Sequence, residues 1–392
     1  MRLPRSTARR TALLLGLTGA GIGLAAVAVP GGALAVPASA GARVTVAGAP
    51  DLSWLDHPRS TVLPARTVAT PAAAGHRALA VPAKLPTFAH NYTSGGKRYG
   101  YRMVGTDPLG AAVTTVIPDT ITPLGLSIGG QGIAPSSSVI ATVTGSGLFK
   151  PAAFPGGTGQ YGNMFMRNQF RSWLTTKSGA LKNWNLNLGT PSVRPQLTLT
   201  VPTDKGEIRL LHGVRVALVD VRWLDTALTG QVTAGSPAGF TQFLGVNTVM
   251  CEPYTTALTH CGIGGYHSVL DDLAGSHTYS VQSFLNGAVF GVKSGFVDTA
   301  PMSHELAEWL ANPYLFNLTP GWRSPLAPQY GCAGDLEVGD PVVTSQIAVK
   351  GLHYQDEAFL WWFARSTSGA WLHRYTWFNA LTTLSKACTV GA

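Results

Sequence analysis

His304 and Glu308 stand four positions apart in the run Ser303-His-Glu-Leu-Ala-Glu-Trp-Leu310. On a helix that spacing puts both side chains on one face, about a turn apart. His-Glu-x-x-His helices hold zinc with this geometry, while the glutamate after the first histidine polarises the attacking water. Here glutamate replaces the second histidine, so the motif offers an imidazole, a carboxylate and a neighbouring base in a harder, more negative setting. Glu337 and Asp340, 29 and 32 residues beyond Glu308, could complete the set. The expected centre therefore has His304, Glu308, Glu337 and Asp340 as metal ligands, with Glu305 as general base. Zinc is the expected cation. Calcium is the alternative, favoured by the oxygen-rich donors and disfavoured by the imidazole. Taken alone, His-Glu-x-x-Glu is a weak pattern that an ordinary helix with surface carboxylates also matches.

The distribution of charge strengthens the metal reading. The chain of 392 residues has only 19 acidic side chains, and eight of them fall between Asp298 and Glu357 against Arg323 and Lys350 alone. That window is −6 within a chain of net charge +9. The overall positive charge is not a nucleic-acid signal, because Arg2, Arg5, Arg9 and Arg10 belong to a segment expected to be removed, leaving +5. Apolar residues interleave with the acids in Leu336-Glu-Val-Gly-Asp-Pro341, which argues against a plain solvated face.

A helix over 299–311 must present the pair, capped by Thr299, entered at Pro301 and stopped by Asn312-Pro313. A second helix is expected over 159–175, where Tyr161, Met164, Phe165, Asn168 and Trp173 recur at helical spacing as core, and a third over 354–365. Segments 98–104 and 112–118 read as a hairpin. Further β signals lie at 139–143, 197–201, 214–223, 240–250, 262–269 and 277–285. Strands interleaved with helices predict a mixed α/β fold: one catalytic-type domain with a β-rich N-terminal region packed on it. His260, His267 and His277 precede the site helix. A strand-borne His267 could join the site, but a hydrogen-bonded structural histidine is the more common outcome.

The N-terminus reads as an export signal. Arginines without acids precede a Gly/Ala/Leu-rich run, and Ala38-Ser39-Ala40 fits a signal peptidase. Arg9-Arg10 is compatible with the twin-arginine route. Residues 1–40 are thus a signal peptide, 41–86 an Ala/Pro-rich linker or propeptide, 87–235 the β-rich region and 236–392 the metal-site region. No retained membrane span is expected. Cys251, Cys261, Cys332 and Cys388 suit an oxidising, extracellular destination. Four cysteines allow three pairings; proximity favours Cys251 with Cys261 and leaves Cys332 with Cys388.

Three segments carry a resemblance: Ser303 to Pro313, Gly331-Cys-Ala-Gly-Asp-Leu-Glu-Val-Gly-Asp-Pro341, and His353-Tyr-Gln-Asp-Glu-Ala-Phe-Leu-Trp-Trp-Phe363 with a terminal Ala387-Cys388. Together with Gln160-Tyr-Gly and Gly264-Gly-Tyr-His267, the stretch from about Phe88 onward is similar to a group of exported bacterial proteins of unassigned function. Over a shorter stretch, His-Glu-x-x-Glu followed by Glu-Val-Gly-Asp resembles the plant Exordium or phosphate-induced secreted proteins. The resemblance implies a zincin-like metal site, and with it a zincin-like, metallohydrolase-type domain; Glu337 and Asp340 match its pattern, whereas the position of Asp335 is often an amide. The expected function is a secreted metal-dependent hydrolase, a peptidase foremost, acting on an extracellular protein or cell-wall polymer. The alternative is a non-catalytic exported protein braced by calcium that binds such a polymer or a partner. No G-x-S-x-G elbow or P-loop competes.

Overall fold

The computed structural model describes residues 84–175, 181–272, 275–290 and 296–390, with the backbone of two short strands at 59–60 and 66–67. The expected signal peptide and most of the Ala/Pro-rich segment lie outside the described residues. Strands in the main sheet are β1 Asp119–Ile128, β2 Ser192–Val193, β3 Leu197–Val201, β4 Gly206–Leu211, β5 Val214–Asp220, β6 Phe240–Val246, β7 Thr248–Cys251, β8 Cys261–Asp272 and β9 Gly275–Phe284. The helices are α1 Ser137–Gly145, α2 Tyr161–Gln169, α3 Arg171–Leu174, α4 Val221–Thr233, α5 Ala300–Ala311 and α6 Leu360–Ala364.

The sheet runs β2-β1-β6-β9-β8-β7-β5-β4, with β3 and Gln131–Ile133 added on β1. Arg59–Ser60 and Arg66–Thr67, inside the segment expected to be a linker, pair with β8. Pairing is parallel from β1 through β6 to β9 and antiparallel between β9 and β8. The sheet curls until β4 touches β1, a nearly closed, barrel-like arrangement. Leu124 and Leu126 from β1, Ala217 and Val219 from β5, and Tyr266 from β8 therefore meet in one interior cluster, with Leu224 and Leu228 of α4.

This overturns the expected α/β, zincin-like architecture: strand accounts for 40% and helix for 21%, around a barrel-like sheet. The reason is local. Residues 139–143, expected to be a strand, lie in α1, which Ser136 caps through Val139 N. Residues 354–365, expected to be a helix, are divided between the strand Leu352–Gln355 and the five-residue α6. Strand Lys97–Val104 pairs with Thr87–Ser94, while Thr114–Ile117 runs parallel to Asn185–Leu188, so the expected hairpin is also replaced. Apolar runs of five to ten residues suit a buried strand or a short helix equally, and only tertiary partners decide between them. The main sheet takes strands from both sides of the expected division at 235/236.

Period-two alternation sets what lies on each face of the sheet. Tyr279 and Val281 of β9 point inward, while Ser280 and Gln282 point to the outer face. There α5 packs, its Trp309 stacked on Phe240 with ring centroids 4.0 Å apart. All twelve residues of α5 are buried between the sheet, α2 and the strand Leu352–Gln355. Gly162 of α2 permits this approach, since a Cβ there would lie 2.7 Å from Leu310 Cδ1. Disulfides join Cys251 to Cys261 and Cys332 to Cys388. Among the described residues no helix is long and apolar enough to cross a membrane.

Candidate metal centre

Helix α5 begins at Ala300 with Pro301 in its first turn, as its sequence requires. Thr299 does not cap it with its side chain; its hydroxyl donates instead to the His353 carbonyl at 2.6 Å. One turn in, His304, Glu305 and Glu308 are fully buried against the outer face of the sheet. His304 Nε2 lies 3.2 Å from Glu308 Oε2, as expected for an i, i+4 pair on one face.

The segment after the strand Ala333–Asp335 folds over this helix. Backbone N–H groups of Gly339 and Asp340 donate to Glu308 Oε1 at 3.1 and 3.3 Å, so Oε2 is left facing His304. Asp340 Oδ1 lies 3.6 Å from His304 Nε2. His304, Glu308 and Asp340 thus form a group whose ligand atoms all lie within 4.8 Å of one another. Close approach needs Gly339, where a Cβ would sit 2.5 Å from His304 Nδ1.

A second group shares Glu308. It comprises His267, Glu305 and Glu308, again within 4.8 Å. His267 projects from β8 on the face that bears α5, and its Nδ1 lies 3.6 Å from Glu305 Oε2 and 3.7 Å from Glu308 Oε2. Its Nε2 is 3.3 Å from the Asn312 carbonyl, a bond that the imidazole donates when Nδ1 carries the lone pair. Gly265, two residues before it, gives Glu305 room: a Cβ would meet Glu305 Oε1 at 2.6 Å. Glu337 stands on the other side of His267, its Oε2 3.8 Å from Nε2, while Oε1 accepts from Asn312 Nδ2 at 2.9 Å. The structure therefore gathers His304, Glu305, Glu308 and Asp340 as the spacing suggests, sets Glu337 beside His267, and adds His267 itself. Asp335 lies outside both groups, on the wall of a neighbouring cleft.

Five buried atoms aimed into this cluster make no hydrogen bond: His267 Nδ1, His304 Nε2, Glu308 Oε2, Glu337 Oε2 and Asp340 Oδ1. Polar atoms are seldom buried in this way unless something pairs with them. Their opposite sides are held. His304 Nδ1 is 3.0 Å from Gln355 Oε1, and Gln355 Nε2 donates to the Gly339 carbonyl at 2.8 Å. Metal-ligating imidazoles and carboxylates are typically oriented by such outer hydrogen bonds. These buried His, Glu and Asp groups could hold a metal ion.

Electrostatics point the same way. Burial alone would lower the His304 pKa, but Glu308, Glu305 and Asp340 together raise it well above the usual histidine value. Burial also raises the carboxyls of Glu337 and Asp340 well above their ordinary range, reinforced by the charge of Glu308. Burial pulls Glu308 upward too, yet the facing His304 holds it below its normal value. A cation would relieve the repulsion among the acids and take the place of the His304 proton.

The cluster reaches solvent at one ligand. The Asp340 side chain retains 9% of its accessible surface, while those of His304 and Glu308 retain none. Tyr330 hydrogen-bonds Asp340 and, with Asp335, Lys97, Tyr99 and Leu318, lines a cleft of about 580 Å³. No family model, curated protein or solved structure matches the chain.

Proposed function

We propose that this chain is an exported, metal-dependent hydrolase, a peptidase foremost, with zinc at the His304, Glu308 and Asp340 group. The observation that carries the reading is the convergence of buried imidazole and carboxylate atoms that lack hydrogen bonds. The His304 imidazole in that group favours zinc over calcium, which takes oxygen donors almost throughout. Zinc would supply Lewis acidity and an acidified water. Glu305 would take the proton of the attacking water; its Oε1 lies 4.0 Å from His304 Nε2, at the edge of the first group. Asp340 and Tyr330 connect the centre to the cleft, where an extended substrate would lie against Tyr99 and Leu318. Two disulfides suit an oxidising compartment, in keeping with export.

A fluorogenic peptide library, presented to the zinc-loaded full chain and to Glu305→Gln, tests this. The expected result is cleavage by the parent chain, with Glu305→Gln still binding zinc at the first group but giving no turnover. One observation favours a second reading, a structural cation that braces a polymer-binding protein: the complete burial of His304, Glu305 and Glu308. Under that reading calcium raises the melting temperature more than zinc does, and no library member is cleaved.

A further inference from the structure

We infer that the centre is built for two divalent cations, with Glu308 shared between them. The first belongs to His304, Glu308 and Asp340, the second to His267, Glu305 and Glu308. This rests on the metal reading of the site but not on its being catalytic.

The geometry comes from two elements that converge on one atom. His304 Nε2, on α5, and His267 Nδ1, on β8, lie 3.2 and 3.7 Å from the same oxygen, Glu308 Oε2. Ligands bound at about 2.0–2.2 Å to one cation stand roughly 3–4 Å apart. The pairs within each group fit that edge: 3.2 and 3.6 Å from His304 to Glu308 and Asp340, 3.6 and 3.7 Å from His267 to Glu305 and Glu308. Glu305 divides its oxygens between the groups, Oε2 toward His267 and Oε1 toward His304. A carboxylate oxygen common to two cations is compatible with the spacing of about 3.5–4 Å found in two-metal hydrolytic sites. With Oε2 on the second cation, Oε1 of Glu305 remains turned to the first group, where a proton acceptor is needed.

Charge supplies the second argument. Glu305, Glu308, Glu337 and Asp340 bring four carboxylates into the protein interior, and the fully buried Glu357, whose Oε1 accepts from the Tyr161 hydroxyl, adds its charge to the surroundings of His304 and Glu308. Among the described residues, the ion pairs of Glu308, Glu337 and Asp340 run only to His267 and His304. With one divalent cation between neutral imidazoles, two of the four carboxylates must keep protons or remain as buried negative charges, which a low-dielectric interior strongly disfavours. Two cations let all four ionise, leaving Glu357 to its bond from Tyr161. Glu337 Oε2, which makes no hydrogen bond, is then a carboxylate oxygen close to the second cation's histidine.

Native mass spectrometry of the chelator-stripped full chain, titrated with zinc, reads the stoichiometry. Two ions per chain are expected at saturation, falling to one in His267→Ala. Manganese(II) loading of the parent chain gives an independent reading that needs no variant. An adjacent pair produces an exchange-coupled electron paramagnetic resonance spectrum, whereas isolated ions give the simple six-line signal. Saturation at one ion, with the six-line signal, overturns the inference, as does an unchanged count in a folded His267→Ala. Two ions without peptide cleavage would leave the paired site standing and remove the hydrolase reading. One ion with cleavage would do the reverse.

Discussion

His304 Nδ1 lies 3.0 Å from the side-chain oxygen of Gln355. Because Gln355 Nε2 is committed to the Gly339 carbonyl, its oxygen must face the imidazole and accept the Nδ1 proton. The tautomer left has its Nε2 lone pair directed at Glu308 and Asp340. Gln355→Leu should keep much of the packing while freeing the ring, and zinc affinity should fall by about 10–100-fold. Competition with a chromophoric chelator measures this, and an unchanged affinity would separate Gln355 from the centre.

A second polar row crosses the same face of the sheet. Gln242 Nε2 donates to Asp119 Oδ2 at 2.6 Å, Gln282 donates to Gln242, and Ser280 donates to Gln282 at 3.0 Å. Ser280 is the cross-strand partner of His267, so the row ends beside the second cation group. Burial pushes the Asp119 carboxyl up to about 8, against the opposing bond from Gln242. With the folded value above the unfolded one, the folded state holds the extra proton. Its contribution to stability is complete below about pH 4 and is lost as pH rises toward 8. Asp119→Asn stays neutral, so urea unfolding should show a flatter pH profile and a gain of about 1–3 kcal/mol at pH 9. A parent and variant with parallel profiles from pH 5 to 9 would refute it.

The Cys332–Cys388 bridge closes a separation of 56 residues and ties the C-terminal segment to the cleft, which Cys332 and Val390 both line. Cross-linking a loop of that length restricts the unfolded chain by about 4 kcal/mol in the chain-entropy treatment. Cys332→Ser with Cys388→Ser should therefore lower unfolding stability by about 2–4 kcal/mol. Because neither cysteine touches the metal groups, zinc stoichiometry should stay that of the parent chain. A loss of zinc in the folded double variant would mean that the bridge also positions Asp340 through the 332–340 segment.

Legibility in the sequence followed how local each determinant is. Helix α5 was readable because Pro301, the His-Glu-x-x-Glu spacing and Asn312-Pro313 all lie within one short stretch. The disulfide pairing was favoured by sequence proximity. Closure of the sheet was not readable, since it depends on β4 returning to β1 and on which neighbours the apolar runs find. Among site residues, the ones on α5 and the Leu336–Pro341 segment stood out by charge against an acid-poor chain. His267 did not, because a lone histidine in a strand is usually structural and its partners lie 38 or more residues away in the sequence. The nearby signal was Gly264-Gly265 two residues before it, small residues where another element comes close. Nothing marked Gln355 and Asn312 as groups that orient ligands, since uncharged amides in that role look like any other polar residue; Asn312 stood out only as part of the helix stop.

Two glycines test how tightly the helix and its cover are fitted. A Cβ on Gly339 would lie 2.5 Å from His304 Nδ1, 2.7 Å from its Cε1 and 2.9 Å from Gln355 Nε2. A Cβ on Gly265 would lie 2.6 Å from Glu305 Oε1 and 2.8 Å from its Cγ. Neither glycine is at positive φ, so alanine meets a steric obstacle and not a backbone one. Gly145, at the end of α1, has no atom within 4 Å of its added Cβ and serves as control. Gly339→Ala and Gly265→Ala should each cost about 1–3 kcal/mol of stability through overpacking. Gly145→Ala should be neutral or slightly stabilising, because alanine is the better helix former. The two site variants should also part company in metal binding. Gly339→Ala displaces His304 and weakens the group with Asp340, while Gly265→Ala displaces Glu305 and weakens the group with His267. Calorimetric titration with zinc separates these outcomes; equal losses from both variants would indicate one indivisible site in place of two coupled ones.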